Sequence, residues 1–262
     1  MVGGGLAGLR AARAVAAAGR TVAVLEARAD RVGGRLESRT HDGFAFDLGA
    51  TWIGAGHDRA GALVDQLGLR LRRTHSEGAA VIVHERAAPR RETRRPRDRL
   101  RELEQRLAER RLDRLARRVP AGAPWDAARA SALDGQTLEA WLRRSALTRR
   151  SRTELRLVLT NVLAAEPEEV SLLHALHYLG ANRGLSAVLN IAGGAQEQVL
   201  EGGAQALARG MDAELGDAVE LGAAVRRVAQ CGEGVRVESD AVSVDASVAV
   251  VASWPPRWRP VT

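Results

Sequence analysis

The chain contains no lysine, so arginine supplies all 39 of its basic residues, and aromatic residues make up only 3% of the 262 positions. We attribute the missing lysine to the base composition of the genome and not to a device for binding phosphate. The single cysteine, Cys231, excludes an intrachain disulfide and a zinc site built from several cysteines. A reducing compartment is compatible with this cysteine content.

Long apolar runs are also missing. A membrane-spanning helix needs about 18 or more apolar residues in a row, and the sequence has no such stretch. The N-terminus does not show the basic and then apolar order of a signal peptide. We therefore expect no membrane span and a cytoplasmic location.

The charge balance is strongly basic. The formal net charge is +7 and the pI is about 11.1, which would favour nucleic acid or an anionic membrane if the charge formed one exposed stripe. Much of the arginine lies between Arg86 and Arg118, where leucines recur at helical spacing with glutamates between them. These leucines are Leu100, Leu103, Leu107, Leu112 and Leu115. The pattern predicts an amphipathic helix, and we favour a solvated charged face over a polyanion site, with no specific nucleic-acid partner.

Glycines dominate the beginning of the chain. Gly3, Gly5 and Gly8 follow the spacing G-x-G-x-x-G, which is typical of a turn that binds a dinucleotide. The first glycine allows a tight turn, the second lets the backbone approach a pyrophosphate, and the third lets the following helix pack closely. The alanine-rich segment Ala7–Ala18 predicts that helix, and Gly19 is expected to end it. The alternative is an ordinary turn between a strand and a helix.

An acidic residue stands where this fingerprint places one. The segment Thr21–Glu26 predicts an apolar strand, and Glu26 ends it about 20 residues after the glycines, where a carboxylate hydrogen-bonds a ribose hydroxyl. The N-terminus of the helix would supply free N–H groups and a partial positive charge for the phosphates. The sequence therefore predicts a dinucleotide site.

A second glycine turn, Arg31–Arg35, indicates which dinucleotide this is. Together with Glu26–Arg28 and Phe46–Trp52, it resembles the flavin-containing amine oxidases, the family of monoamine and polyamine oxidases. Further blocks resemble the family in the same order along the chain: Val119–Trp125, Leu138–Leu142, Ala165–Ser171, Gly193–Glu197 and Glu201–Gln205. The resemblance extends from Val2 to about Ala252, and it implies FAD as the cofactor.

The resemblance also implies which residues contact FAD. The loop Gly49–Trp52 matches a family segment whose backbone lies along the flavin, with a glycine loop packed by Trp52 as the alternative. Val225 matches the position that meets the adenine end of the cofactor. The predicted cofactor-binding residues are Gly3, Gly5, Leu6, Ala7, Gly8, Glu26, Ala27, Arg28, Gly33, Gly34, Arg35, Leu36, Gly49, Ala50, Thr51, Trp52 and Val225.

On the substrate side, Gln196 resembles a family glutamine that reaches the substrate cavity, and Leu189 falls near the cavity wall. A surface turn is the alternative for Gln196, since a glutamine in a glycine-rich loop carries little information. His174 and His177 stand three apart on a predicted helix, which can match metal ligands. Because no Glu or Cys partner is nearby, we interpret both as packing residues and predict no metal.

We predict an α/β (α+β) fold in which a Rossmann-like, doubly wound FAD-binding domain is interleaved with a mainly helical substrate domain. Residues 1–70 and 211–252 would form the FAD-binding domain, 71–210 the substrate domain and 253–262 an irregular tail. The length of 262 residues and a hydrophobic fraction of 45% are sufficient for two domains. Within the second part of the FAD-binding domain, Val244–Ala252 is expected to form a buried parallel strand.

The resemblance also predicts an incomplete fold. Only Met1 and Val2 precede the glycines, where a full strand is usual, and the sequence departs from the family pattern at Ser253–Thr262. In the family, the segment that follows carries a lysine near the flavin, an aromatic pair beside the amine and a second flavin-binding block. We therefore expect impaired turnover even when FAD is bound.

The predicted function is oxidation of primary amines or polyamines to imines, with molecular oxygen reoxidising the flavin and hydrogen peroxide released. One alternative is a non-catalytic fragment that binds FAD. Another is a flavoprotein oxidase acting on amino acids, carotenoids or porphyrinogens. The blocks between Gly193 and Gln205 favour the amine oxidases, and the sequence does not predict an oligomeric state.

Overall fold

The computed structural model describes residues 1–54, 56–78, 81–84, 87–91, 96–145 and 148–253. In these ranges the α-helices are α1 Leu6–Ala17, α2 Asp58–Gln66, α3 Pro96–Ala116, α4 Ala130–Asp134, α5 Leu138–Ser145, α6 Arg149–Leu163, α7 Leu172–Ala181, α8 Leu185–Leu189 and α9 Ala206–Leu215. Short 3₁₀ helices lie at Pro124–Asp126 and Gly216–Ala218. The strands are β1 Val24–Leu25, β2 Ser38–His41, β3 Phe44–Asp47, β4 Trp52–Ile53, β5 Leu71–Arg73, β6 Val81–His84, β7 Ala87–Arg91, β8 Gln198–Leu200, β9 Val219–Glu220, β10 Val225–Cys231, β11 Gly234–Ser239 and β12 Ser243–Ala246.

The chain forms two compact units that alternate along the sequence. The first unit contains Met1–Ile53, Asp58–Arg73 and the chain from Gln198 onward, and the second contains Gly54–His57 and Thr74–Glu197. The chain therefore returns to the first unit at Gln198, whereas from the sequence we expected the return at position 211. It returns there because β8 pairs with β4 and β5 of the first unit.

A parallel arrangement of short segments forms the centre of the first unit. Strand β1 pairs in parallel with β9, and Val2 forms parallel bridges with Leu25 on one side and Val251 on the other. The Val2 amide donates to the Val250 carbonyl oxygen at 2.9 Å, and the Ala252 amide donates to the Val2 carbonyl oxygen at 2.8 Å. The glycine turn thus follows a central segment of the sheet, as expected for a doubly wound arrangement.

The prediction of one buried strand over Val244–Ala252 is wrong. Its first part belongs to β12, which pairs antiparallel with β11 in the sheet β10–β11–β12. Its last part pairs in parallel with Val2, and Val248, Val250 and Val251 are exposed. An apolar run satisfies two pairing modes equally well, so hydrophobicity alone did not separate these two segments.

Local sequence explains the remaining elements of the first unit. Helix α1 ends where Gly19 takes a positive φ of 71°, which confirms the predicted end. Strands β2 and β3 form a hairpin, with Asp42 and Gly43 at φ values of 50° and 79° in its turn. The core of this unit packs Leu9 against Met211, both fully buried, with contributions from α2 and β8.

The second unit is mainly helical, with one core built from α3 to α8. Helix α3 contributes the fully buried Leu112, while Leu103 and Leu107 are exposed. The structure therefore confirms a helix here but buries only part of its leucines, and the side chain of Leu100 lies outside the described residues. Burial raises the pKa of Glu109, which belongs to the same helix.

One arginine joins three segments of the second unit. Arg156 of α6 forms ion pairs with Glu139 at 2.9 Å, Glu166 at 2.6 Å and Glu168 at 2.6 Å. The hydrogen bond from Arg156 lowers the pKa of Glu168, and the same bond raises the pKa of Arg156. The folded state therefore favours the charged form of Glu168.

We expect Arg156→Met to lower the melting temperature near neutral pH, because the half-buried guanidinium no longer neutralises three carboxylates. The difference from wild type should shrink as the pH falls through the lowered pKa of Glu168, below its ordinary value of 4.5, since protonation removes the same interaction. Thermal melts across acidic pH measure this. Arg149→Met, at an exposed position of the same helix, is the control, and a pH-independent difference would contradict the prediction.

Candidate cofactor site

The first glycine turn has no space for side chains where the helix meets it. Gly3 has a φ of +102°, and a Cβ at Gly8 would lie 2.0 Å from the Gly3 carbonyl oxygen. Gly5 caps α1 in extended conformation, without a side-chain hydrogen bond and without an acidic residue in the first turn. The N–H groups of the first turn, at Leu6, Ala7 and Gly8, therefore remain available to an anion.

Glu26 is buried beside this turn and is fixed by backbone amides. Its Oε2 accepts the Gly4 N–H at 2.6 Å, and its Oε1 accepts the Arg28 N–H at 2.9 Å. Ala27 and Arg28 are exposed, and Arg28 pairs with Asp30 at 3.4 Å. A carboxylate has about four acceptor positions, so two remain for hydroxyl donors.

The second glycine turn lies directly against the first. The Gly33 N–H donates to the Gly4 carbonyl oxygen at 2.8 Å, and Gly5 and Gly33 form a parallel bridge. Gly34 has a φ of +56°, and a Cβ there would lie 3.3 Å from the Cα of Gly5. The two turns thus form a cradle of bare backbone, which we call the glycine cradle and define as Gly3–Gly5 with Gly33–Gly34.

The loop after β3 packs on the residues that follow the glycine cradle. A Cβ at Gly49 would lie 1.9 Å from the Arg35 carbonyl oxygen, and the Ala50 N–H donates to that oxygen at 3.2 Å. Thr51 donates its hydroxyl to the Gly49 carbonyl oxygen, and Trp52 is 47% exposed on β4. Leu36 is buried, whereas Arg35 is exposed. The alternative in which Trp52 packs the loop is not supported by this exposure.

The predicted adenine-side residue belongs to the same unit. The Ala223 N–H donates to the Glu26 carbonyl oxygen at 2.8 Å, and the Gly222 N–H donates to the Arg28 carbonyl oxygen at 3.0 Å. Val225 follows as the first residue of β10 and is half-buried. The structure therefore brings the segment before Val225 beside the end of β1.

Sequence reasoning missed the residues that hold the second glycine turn. Arg31 donates to the carbonyl oxygens of Val32, Gly34 and Leu36 at 3.0–3.4 Å and pairs with Glu37 at 2.9 Å. On the other side, the buried Gln205 bonds both Val32 and Ser38. Gln205 stands in a block that resembles the family, but no residue pattern around it indicates burial.

The family of the chain follows from comparison with known proteins. The model of the family "Flavin containing amine oxidoreductase" matches residues 6–258. The chain belongs to this family. A protein of Mycobacterium tuberculosis named "Putative flavin-containing monoamine oxidase AofH" is 40% identical over 99% of the chain and 57% of its own length. Putrescine oxidase of Kocuria rosea is 34% identical over 96% of the chain and 55% of its own length.

Solved structures of flavin amine oxidoreductases share the fold. A structure of putrescine oxidase with putrescine bound matches with a TM-score of 0.86 and 30% identity, covering 96% of this chain and 56% of the other. Cyclohexylamine oxidase from Brevibacterium oxydans IH-35A matches with a TM-score of 0.82 and 28% identity, covering 96% and 56%. The chain thus spans about half the length of the relatives it matches, and its mixed α/β fold is that of a flavin-containing family.

The glycine cradle and its surroundings fit the dinucleotide that this family contains. A Cβ at Gly34 would lie 3.3 Å from the Cα of Gly5 and would narrow the cradle, the first turn of α1 lacks a side-chain cap, and Glu26 is buried with two acceptor positions left. The cradle and the first turn of α1 suit a pyrophosphate, and the Glu26 carboxylate suits a ribose.

The two predicted substrate residues both belong to the second unit. Leu189 ends α8 and is 37% exposed, and Gln196 is half-buried in the turn that follows. This turn packs on α8 because the Ala195 N–H donates to the Ala187 carbonyl oxygen at 2.8 Å. A Cβ at Gly194 would lie 2.1 Å from the Asn190 carbonyl oxygen, so the turn is close to the helix end.

The two histidines of α7 have different surroundings. His177 donates from Nε2 to the Ala121 carbonyl oxygen at 2.9 Å, depending on its tautomer, and His174 is exposed. Among the residues that the structure describes, no cluster of three His, Cys, Asp or Glu side chains is arranged to hold a metal. In the same ranges, no helix is both long and apolar enough to cross a membrane.

Proposed function

We propose that the chain binds FAD and serves the oxidation of primary amines or polyamines. The observation that carries this proposal is the glycine cradle beside the buried Glu26 carboxylate, in a chain of the flavin amine oxidoreductase family. The Rossmann-like unit would hold the cofactor, and the helical unit would supply the substrate side. The proposed partners are an amine and molecular oxygen.

The residues of the first unit would divide the dinucleotide between them. The first turn of α1 would donate N–H groups to the pyrophosphate, and the glycines would let the phosphate oxygens approach the backbone. Glu26 would accept hydrogen bonds from ribose hydroxyls, and it is already oriented by the Gly4 and Arg28 amides. Val225 would lie at the adenine end. When bound, the flavin supplies the redox chemistry, and the protein supplies binding and orientation.

The substrate class is proposed from the family and from two side chains of the second unit. Gln196 would hydrogen-bond the amine or a water beside it, and Leu189 would contact its apolar part. Relatives named as monoamine and putrescine oxidases support an amine in preference to an amino acid, a carotenoid or a porphyrinogen. A cytoplasmic location is proposed with this function.

Titration of the purified chain with FAD, followed by quenching of flavin fluorescence, tests the cofactor site. Glu26→Ala should weaken FAD binding by at least about tenfold, because each charge-assisted hydrogen bond is worth about 1.5–3 kcal/mol. The substitution also leaves the buried Gly4 N–H without its acceptor. Glu233→Ala is the matched control, since Glu233 is exposed in the turn between β10 and β11 of the same unit.

Equal FAD affinity for Glu26→Ala and Glu233→Ala would refute the assignment of Glu26 to the ribose. For the reaction, amine-dependent release of peroxide from the FAD-loaded chain, tested with primary amines and polyamines, would support oxidation. Bound FAD that no amine reduces anaerobically would instead support the non-catalytic alternative.

A further inference from the structure

The side-chain amide of Gln205 hydrogen-bonds Val32 and Ser38, the residues on either side of the segment 33–37 that contains Gly33 and Gly34 of the second glycine turn. Gln205 is only 4% exposed and caps the N-terminus of α9. Its Nε2 donates to the Val32 carbonyl oxygen at 3.1 Å, and its Oε1 accepts the backbone N–H of Ser38 at 3.1 Å. One planar amide therefore joins the residue before Gly33 to the residue after Glu37.

A second set of hydrogen bonds fixes the position of Gln205 itself. The Gln205 N–H donates to Ser38 Oγ at 3.0 Å, and Ser38 Oγ donates to Asp47 Oδ1 at 2.5 Å. The same Asp47 oxygen accepts the Ala204 N–H at 2.8 Å. Gly203, with a φ of +88°, is required here because a Cβ would lie 2.5 Å from Ser38 Oγ. The network is buried at Gln205 and Ser38 and partly buried at Asp47, and it joins β2, β3 and the N-terminus of α9.

The position of the glycine cradle depends on this amide. Gly33 has a φ of +113°, and a Cβ there would lie 3.5 Å from Cγ of Gln205, so the amide stem lies directly beneath the turn. The N–H of the same glycine donates to the Gly4 carbonyl oxygen. Without the bonds to Val32 and Ser38, the turn would lose its hydrogen bonds to the Gln205 side chain. It would keep the contacts that Arg31 makes, the Gly33–Gly4 bond and the bond from the Gln205 N–H to Ser38 Oγ.

We propose that Gln205 is a positioning residue for the dinucleotide, acting through the Val32–Ser38 turn and not by touching the cofactor. This proposal rests on the proposed function. A turn held in its bound conformation does not have to be ordered when the ligand arrives, and such preorganisation raises affinity. Loss of the amide therefore lowers the affinity for FAD, because binding must then also order the turn.

The test compares Gln205→Met with Met211→Ala in the full chain. Met has a similar length but cannot replace the hydrogen bonds to Val32 and Ser38, nor the one that Gln205 Oε1 accepts from Arg209 at 3.1 Å. Met211 is fully buried on α9 and makes no hydrogen bond to Val32 or Ser38. Gln205→Met should weaken FAD binding by about tenfold, because the binding of FAD must then also order the turn. Met211→Ala should lower the melting temperature of the apoprotein at least as much and leave the affinity for FAD unchanged.

Amide hydrogen exchange in the apoprotein supplies a readout that does not involve FAD. In Gln205→Met, exchange should accelerate at Ser38 and Gly33 while the amides in the middle of α9 keep wild-type rates. In Met211→Ala, acceleration should spread over α9 and the elements it packs against.

Each outcome decides between the hypotheses. Wild-type affinity in Gln205→Met, or equal losses in both variants, would overturn the role of Gln205 alone. Failure of the wild-type chain to bind FAD would overturn the proposed cofactor site and the role of Gln205 with it. Selective loss of affinity with selective exchange at Ser38 and Gly33 is the result we expect.

Discussion

Gly8→Ala should abolish measurable FAD binding and destabilise the first unit. In an exposed helix this substitution would stabilise the chain by roughly 0.5–1 kcal/mol, because alanine favours the helix more than glycine does. At Gly8, however, the new Cβ would lie 2.0 Å from the Gly3 carbonyl oxygen, and real Cβ contacts shorter than 3.0 Å essentially do not occur. Because backbone opposes backbone, α1 must move away from the turn.

That movement has two consequences of different kinds. Overpacking of this type costs about 1–3 kcal/mol of stability, and sometimes more. It also displaces the uncapped N–H groups of α1 from the glycine cradle, so the phosphates would lose their donors. A melt of the apoprotein and an FAD titration at low temperature separate these two effects.

Gly61→Ala is the matched control for Gly8→Ala. Gly61 lies within α2 of the same unit, and a Cβ there would meet no atom within 4 Å. The same substitution should therefore raise the melting temperature slightly and leave FAD binding intact. If Gly8→Ala behaved like Gly61→Ala, α1 would not approach the first glycine turn as closely as the structure shows.

The sequence predicted the parts of the site that depend on local geometry. The spacing of Gly3, Gly5 and Gly8 requires a tight turn followed by a close helix, and Glu26 could be placed because a strand of fixed length separates it from that helix. The hairpin at Asp42–Gly43 also depends on local sequence, since these residues accept positive φ values. Such features are encoded within a few residues of each other.

Features that depend on distant segments could not be read in the same way. Gln205 meets Val32 across 173 positions, and nothing in the sequence indicates that this glutamine is buried while Gln196 is only half-buried. The run Val244–Ala252 contains enough valine for a strand, but its pairing partners are β11 at one end and Val2 at the other. Pairing between distant segments is decided by the whole sheet, so the sequence alone does not predict that this run pairs with two different partners.

Leu176→Ala should be among the most destabilising substitutions in the second unit. Leu176 is fully buried on α7, in the core that α3 to α8 share. Replacing a buried leucine with alanine costs about 2–5 kcal/mol, which combines lost burial with the cavity left behind. The measurement is chemical denaturation followed by circular dichroism, which reports mainly the helices of this unit.

Leu157→Ala is the control, because Leu157 is 63% exposed on α6. Substitutions at such positions usually change stability by no more than about 0.5 kcal/mol.

The same pair of variants, Leu176→Ala and Leu157→Ala, also tests where the cofactor binds. Every predicted FAD contact, from Gly3 to Val225, belongs to the first unit. The folded fraction of Leu176→Ala should therefore bind FAD with wild-type affinity at low temperature. If Leu176→Ala lost tenfold in affinity for FAD while Leu157→Ala did not, the cofactor site would not be confined to the first unit.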